Sequence, residues 1–114
     1  MEHPMYPAAS PEVAQKSAEL APEILSAFRS FSHKVFADGA LPSKTKELIA
    51  VAVAHVTQCP YCIRSHTQRA MLKGASEQEI MEAIWVAAEM RAGAASAHST
   101  IAIDAMKEAE AKRQ

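Results

Sequence analysis

Apolar residues recur along this chain with the period of a helix, and helix punctuation recurs with them. Ile24, Phe28, Phe31 and Val35 repeat at three- and four-residue steps, one face of a helix opened by Pro22. Before it, Ser10 followed by Pro11 reads as an N-cap with proline at the first helical position, predicting a short helix to about Leu20. Asp38-Gly39 closes the second helix, with Gly39 suited to the left-handed position past a helix end. Pro42-Ser43 starts a third, running to about Thr57, whose stretch Leu48 to Ala54 is apolar all round. Such a helix is expected to lie at the centre, buried on every side. Its valines also suit a core strand, but its length and polar start, Lys44 to Glu47, favour the helix.

A fourth helix begins near Pro60 and closes at Lys73-Gly74. Ser76 to Glu79 is a capping box, opening a fifth with Ile80, Ile84, Trp85 and Ala88 on one side. Small residues from Ala92 to Ala97 let helices approach closely. A last helix carries Ile101 and Ile103 into a charged tail, Lys107 to Gln114, expected to fray as a solvated end. No stretch alternates like a half-buried strand. The pattern predicts an all-α fold: a compact helical bundle of about six helices with short loops.

Composition narrows this picture. A chain of 114 residues fits one domain, and 49 % hydrophobic against 22 % charged residues is a globular balance. The apolar share leans on alanine and aromatics are only 5 %, so burial per residue is modest and oligomerisation is a natural remedy. A net charge of −1 recommends neither a nucleic-acid nor a membrane-surface partner. Met1 to Met5 lacks the basic start and apolar run of a signal peptide, and the apolar run Leu48 to Val56 is too short to span a bilayer. A soluble cytoplasmic protein is the expectation. Its two cysteines stand at Cys-x-x-Cys spacing, which in a reducing compartment points to redox or metal chemistry rather than stapling.

Pro60 places Cys59 near an N-cap, where unpaired N–H groups and the positive helix end favour a thiolate. Cys62 falls in the first turn, close enough for a disulfide with Cys59. His66, four residues further, shares a helix face with Cys62, and an imidazole beside a thiol can take its proton. Glu47, the last charge before the apolar run, suits two roles equally: a partner that orients His66, or a solvated first-turn carboxylate. Helix position favours Cys59 as the more acidic thiol, and histidine spacing favours Cys62 as the reactive one. Cys62 is preferred, because a neighbouring base acts within the reaction itself. Tyr61 is an auxiliary candidate that covers the thiols or offers a hydroxyl. His55 either faces the site or is a hydrogen-bonded core histidine, the latter favoured. His33 and His98 show no partner, but His98 sits in the small-residue stretch, from which it could approach the site. Trp85 reads as core or interface, and Leu72, on the polar face of the fourth helix, hints at a subunit contact.

Glu47, then Cys59, Cys62 and His66, together with Lys46-Glu47-Leu48-Ile49-Ala50-Val51, resembles the AhpD-like alkylhydroperoxidases of the carboxymuconolactone decarboxylase superfamily. The similarity covers a core of about 42–95 within a single domain, 1–114. The resemblance implies an all-helical homo-oligomer (dimer, trimer or hexamer). It also implies a peroxidase in which Cys62 reduces a hydroperoxide, Cys59 resolves the intermediate to a disulfide, and Glu47 and His66 relay protons. An external dithiol would reset the enzyme. The fuller AhpD pattern has a histidine immediately before the second cysteine, and Tyr61 stands there instead. No nucleotide, flavin or haem motif is present, so no bound cofactor is expected. Three rival readings remain. One is a zinc-binding module using Cys59, Cys62 and His66 with His55 or Glu47. The second is a decarboxylase-type lyase of the same superfamily. The third is a redox sensor that forms its disulfide once.

Overall fold

The computed structural model describes residues 5–113, so the leader expectation resting on Met1 to Pro4, and the last tail residue Gln114, lie outside the described residues. Five helices and no strand appear among them: α1 (Pro11–Leu20), α2 (Pro22–Phe36), α3 (Ser43–Thr57), α4 (Pro60–Leu72) and α5 (Glu77–Arg113). The all-α expectation holds, with one helix fewer than the expected six.

The missing boundary lies in α5, which runs unbroken for 37 residues. A separate last helix through Ile101 and Ile103 was expected beyond the small residues Ala92 to Ala97, but alanine is the strongest helix former and a lone Gly93 costs only about 1 kcal/mol. Nothing there supplies a cap or a proline, so the helix continues, and the tail is helical to Arg113 rather than frayed.

Local signals fixed the other ends well. The Ser10 side chain accepts the Val13 N–H (3.2 Å), as an N-cap should. The capping box is reciprocal: Ser76 N–H donates to Glu79 Oε1 (2.9 Å), and Glu79 N–H donates to Ser76 Oγ (3.0 Å). Gly39 does not take the left-handed role. α2 stops earlier, at Phe36, through an extended Ala37. The left-handed glycine is Gly74 (φ 94°), where Ala75 N–H turns back onto Ala70 O (2.9 Å).

The core gathers Val51, Ala70, Ala75 and Ile80, with Leu48 and Ile84 packed against it. It joins α3 to α4 and to the first half of α5, and Arg91 Nη1 adds a bond to Val56 O (3.2 Å). α3 is therefore central, but not buried on every side. Glu47, Val51 and Ala54 face the core, whereas Ile49 and Val53 on the opposite side remain about half exposed.

The compact bundle extends only this far. The molecule measures 65 × 34 × 34 Å, with a radius of gyration of 20.3 Å. A compact chain of this length would have about 13 Å. α1 and α2 pack on each other, and α2 joins the rest at its C-terminal end, where Lys46 Nζ donates to Ala37 O (2.6 Å). The face expected in the core is open instead: Ile24, Phe28 and Phe31 are 75 %, 61 % and 64 % exposed. The second half of α5, with Ile101 and Met106, is equally uncovered.

Candidate active site

Gln58 ends α3 in the left-handed conformation (φ 57°), and the chain doubles back immediately into α4. Cys59 N–H is held by Ala54 O (3.2 Å), so the first turn of α4 is tied to the end of α3. This turn delivers both sulfurs. Cys59 is the N-cap of α4, its Sγ accepting the Cys62 N–H at 3.3 Å, as its place before Pro60 predicts.

The sulfurs are 2.6 Å apart, in side-chain hydrogen-bond contact. Hydrogen bonding from the Cys62 thiol and then from the Cys62 N–H draws the Cys59 pKa below the ordinary thiol value of 9.0. The same contact, followed by burial and the charge on Cys59, pushes Cys62 above it. Of the two thiols Cys59 is therefore the easier to ionise, and Cys62 the harder.

His66 lies one helical turn beyond Cys62. Its Nδ1 is 2.7 Å from Glu47 Oε2, across from α4 to α3. Glu47 is only 3 % exposed, which settles the choice left open by sequence: it is a buried carboxylate with a histidine partner, not a solvated one. With Glu47 accepting as a carboxylate, the Nδ1–H tautomer is the one that fits this contact, and in that neutral tautomer Nε2 is free to accept a proton. Phe36, at the end of α2, stacks on the imidazole (centroids 5.0 Å apart, 26° between planes) and closes one side of it.

Cys62 and His66 open onto one cavity of about 390 Å³ between α2, α3 and α4. Val35, Phe36, Ile49, Ala50, Val53 and Ala54 make its walls, with Lys46 and Thr57 also lining it. Cys59 is not among the lining residues. Phe36 and Lys46 were not singled out by sequence. Phe36 lies one residue past the apolar face it was expected to end, and nothing local marks Lys46 as facing a cavity.

The auxiliary candidates do not join the site. His55 Nδ1 bonds Val51 O within its own helix (2.7 Å), and His98 does the same to Ala94 O (2.7 Å). Neither lines the cavity. Tyr61 is partly exposed and meets Tyr6 edge to face, 6.2 Å between centroids. Trp85 and Leu72 are exposed. Among the described residues no group of three or more His, Cys, Asp or Glu side chains is placed to hold a metal ion, which counts against the zinc module. No helix there is long and apolar enough to cross a membrane.

The helical fold agrees with the comparisons: the chain belongs to the carboxymuconolactone decarboxylase family, which it matches over residues 22–105. It is 62 % identical over 82 residues to "Uncharacterized protein 4 in cox locus" of Paracoccus denitrificans, covering 72 % of this chain and 74 % of that one. It is 44 % identical over 50 residues to the alkyl hydroperoxide reductase AhpD of Anaeromyxobacter sp. (strain K), covering 44 % of this chain and 27 % of that protein. Among solved structures, a carboxymuconolactone decarboxylase family protein from Legionella pneumophila superimposes with a TM-score of 0.66 at 38 % identity, over 69 % of this chain and 70 % of that one.

Proposed function

We propose that this protein reduces hydroperoxides with its cysteine pair and is reset by an external dithiol. One observation carries the reading: a thiol and a carboxylate-held imidazole face the same apolar cavity. The similarity of a 50-residue stretch to an alkyl hydroperoxide reductase adds to it.

Cys62 reacts with substrate because it, and not Cys59, lines the cavity. Its raised pKa makes a base necessary. His66 Nε2 takes the thiol proton as sulfur attacks the terminal peroxide oxygen, and Glu47 supports the imidazolium. The O–O bond breaks, the sulfur becomes a sulfenic acid, and the departing alkoxide takes the proton back from His66. Cys59, already the more acidic thiol, attacks the Cys62 sulfur. Hydroxide leaves and is protonated from solvent, matching the proton that Cys59 lost on ionising. The products are alcohol, water and a disulfide. A dithiol then returns two electrons by exchange.

The uncovered faces of α2 and α5 support a homo-oligomer, a dimer, trimer or hexamer. Two cysteines at Cys-x-x-Cys spacing suit redox work in a reducing compartment such as the cytoplasm.

The test is a thiol count on reduced protein before and after one equivalent of cumene hydroperoxide, with and without dithiothreitol. The expected result is loss of two thiols that the dithiol restores over many cycles. Two thiols that survive peroxide would refute the reading, and a disulfide that forms once and resists dithiol would make the protein a sensor.

A further inference from the structure

The cavity walls are apolar, but one end carries a cation. Along α3 the lining positions 46, 49, 50, 53, 54 and 57 form a single stripe, with Lys46 first and Thr57 last. At 1.5 Å per residue the stripe is about 16 Å long. The thiols lie towards its Thr57 end, because Cys59 is bonded to Ala54. Lys46 marks the other end, where α2 finishes. Its ammonium donates to Ala37 O (2.6 Å), which leaves two N–H groups for another acceptor.

Among the described residues no carboxylate pairs with Lys46. The two acids nearest in sequence are committed elsewhere: Asp38 Oδ1 accepts the Ser43 N–H (2.7 Å), and Glu47 is buried against His66. A free ammonium at the end of an apolar groove, with a reactive thiol towards the other end, matches a molecule of the same layout.

Resting on the reading above, we propose that the preferred substrate is an amphipathic anion: a hydroperoxide on an acyl chain that ends in a free carboxylate, held by Lys46. The carboxylate bridges to the ammonium, the chain lies along Ile49, Ala50 and Phe36, and the peroxide reaches Cys62. The chemistry at sulfur is unchanged, so Lys46 sets preference and not reaction type.

The test compares a hydroperoxy fatty acid with its methyl ester, below their micelle concentrations, by the second-order rate of thiol loss from reduced protein. The unmodified protein is expected to favour the acid by about twofold to fivefold, the range of a partly screened ion pair. That preference should shrink as salt is raised. In Lys46→Gln, which keeps a donor for Ala37, the acid-to-ester ratio should fall to near one, and in Lys46→Arg it should persist. Equal rates for acid and ester in the unmodified protein, or a ratio that Lys46→Gln leaves intact, would overturn this inference while leaving the hydroperoxide reading in place. No reaction with either compound, nor with cumene hydroperoxide, would overturn both.

Discussion

Two helices of this chain start in the same way and end in opposite circumstances. α1 and α4 each follow a capping residue and a proline, Ser10-Pro11 and Cys59-Pro60, and in each the cap accepts an N–H three residues on, at 3.2 and 3.3 Å. At α1 the cap is an oxygen on a helix with no buried residue. At α4 it is a sulfur on a helix locked to the molecule's core. The local device is identical, and what differs is what long-range packing brings to it. α3 and α5 cover α4, so its first turn becomes a half-sheltered site beside Glu47 and His66. The α1–α2 hairpin has no such cover, and its apolar face looks outward.

The largest effect should follow from charging that face. Ile24, Phe28 and Phe31 are so exposed that Phe28→Glu with Phe31→Glu costs the isolated chain little burial. If the face is covered by another copy, buried carboxylates would abolish the contact. Sedimentation of the unmodified protein should give the mass of a dimer, trimer or hexamer, and the double variant a smaller species. An unmodified protein that runs as a monomer at tens of micromolar would sink the assembly proposal.

A second, smaller effect probes the sheltered region. Glu47→Gln keeps the shape but removes the charge that supports imidazolium, and an amide can present the wrong group to Nδ1. Thiol oxidation by hydroperoxide should slow by about a hundredfold, the scale of one general-base contribution. The assembly measured above should not change. A rate within twofold of the unmodified protein would remove Glu47 and His66 from the proton path.

The contrast also explains what could be read from sequence. Helix starts were legible at Pro11, Pro22, Ser43, Pro60 and Ser76 because caps and prolines act within a few residues. That Cys59, Cys62 and His66 lie together was legible because they share the first turns of one helix, whereas Glu47 was legible only as a candidate, since the polar edge of an apolar helix suits a solvated carboxylate equally. Burial was not. The stripe Ile24, Phe28, Phe31 and Val35 announces a buried face, but periodicity does not say whether the cover comes from the same chain. Gly39 looked like a left-handed terminator, but α2 had already ended at Ala37, whose carbonyl Lys46 captures from another helix. The walls contributed by Phe36 and Lys46 depend on how α2 meets α3, a tertiary fact that local pattern does not encode.

The smallest effect concerns which thiol ionises first. Cys59 lies below the ordinary thiol value and Cys62 above it, so as pH rises from neutrality Cys59 loses its proton first. Iodoacetamide reacts with thiolates. Mass mapping of the reduced protein should therefore find Cys59 alkylated at lower pH than Cys62. The cause can be separated from the helix end. Cys62→Ala removes the sulfur that donates to Cys59 but keeps the backbone N–H and the helix. If the side-chain hydrogen bond is the main cause, the midpoint for Cys59 rises toward the ordinary value in that variant. A midpoint that stays put would assign the shift to the helix terminus instead. Alkylation of Cys62 before Cys59 would reverse the order of thiol acidity, and with it the need for His66 as the base.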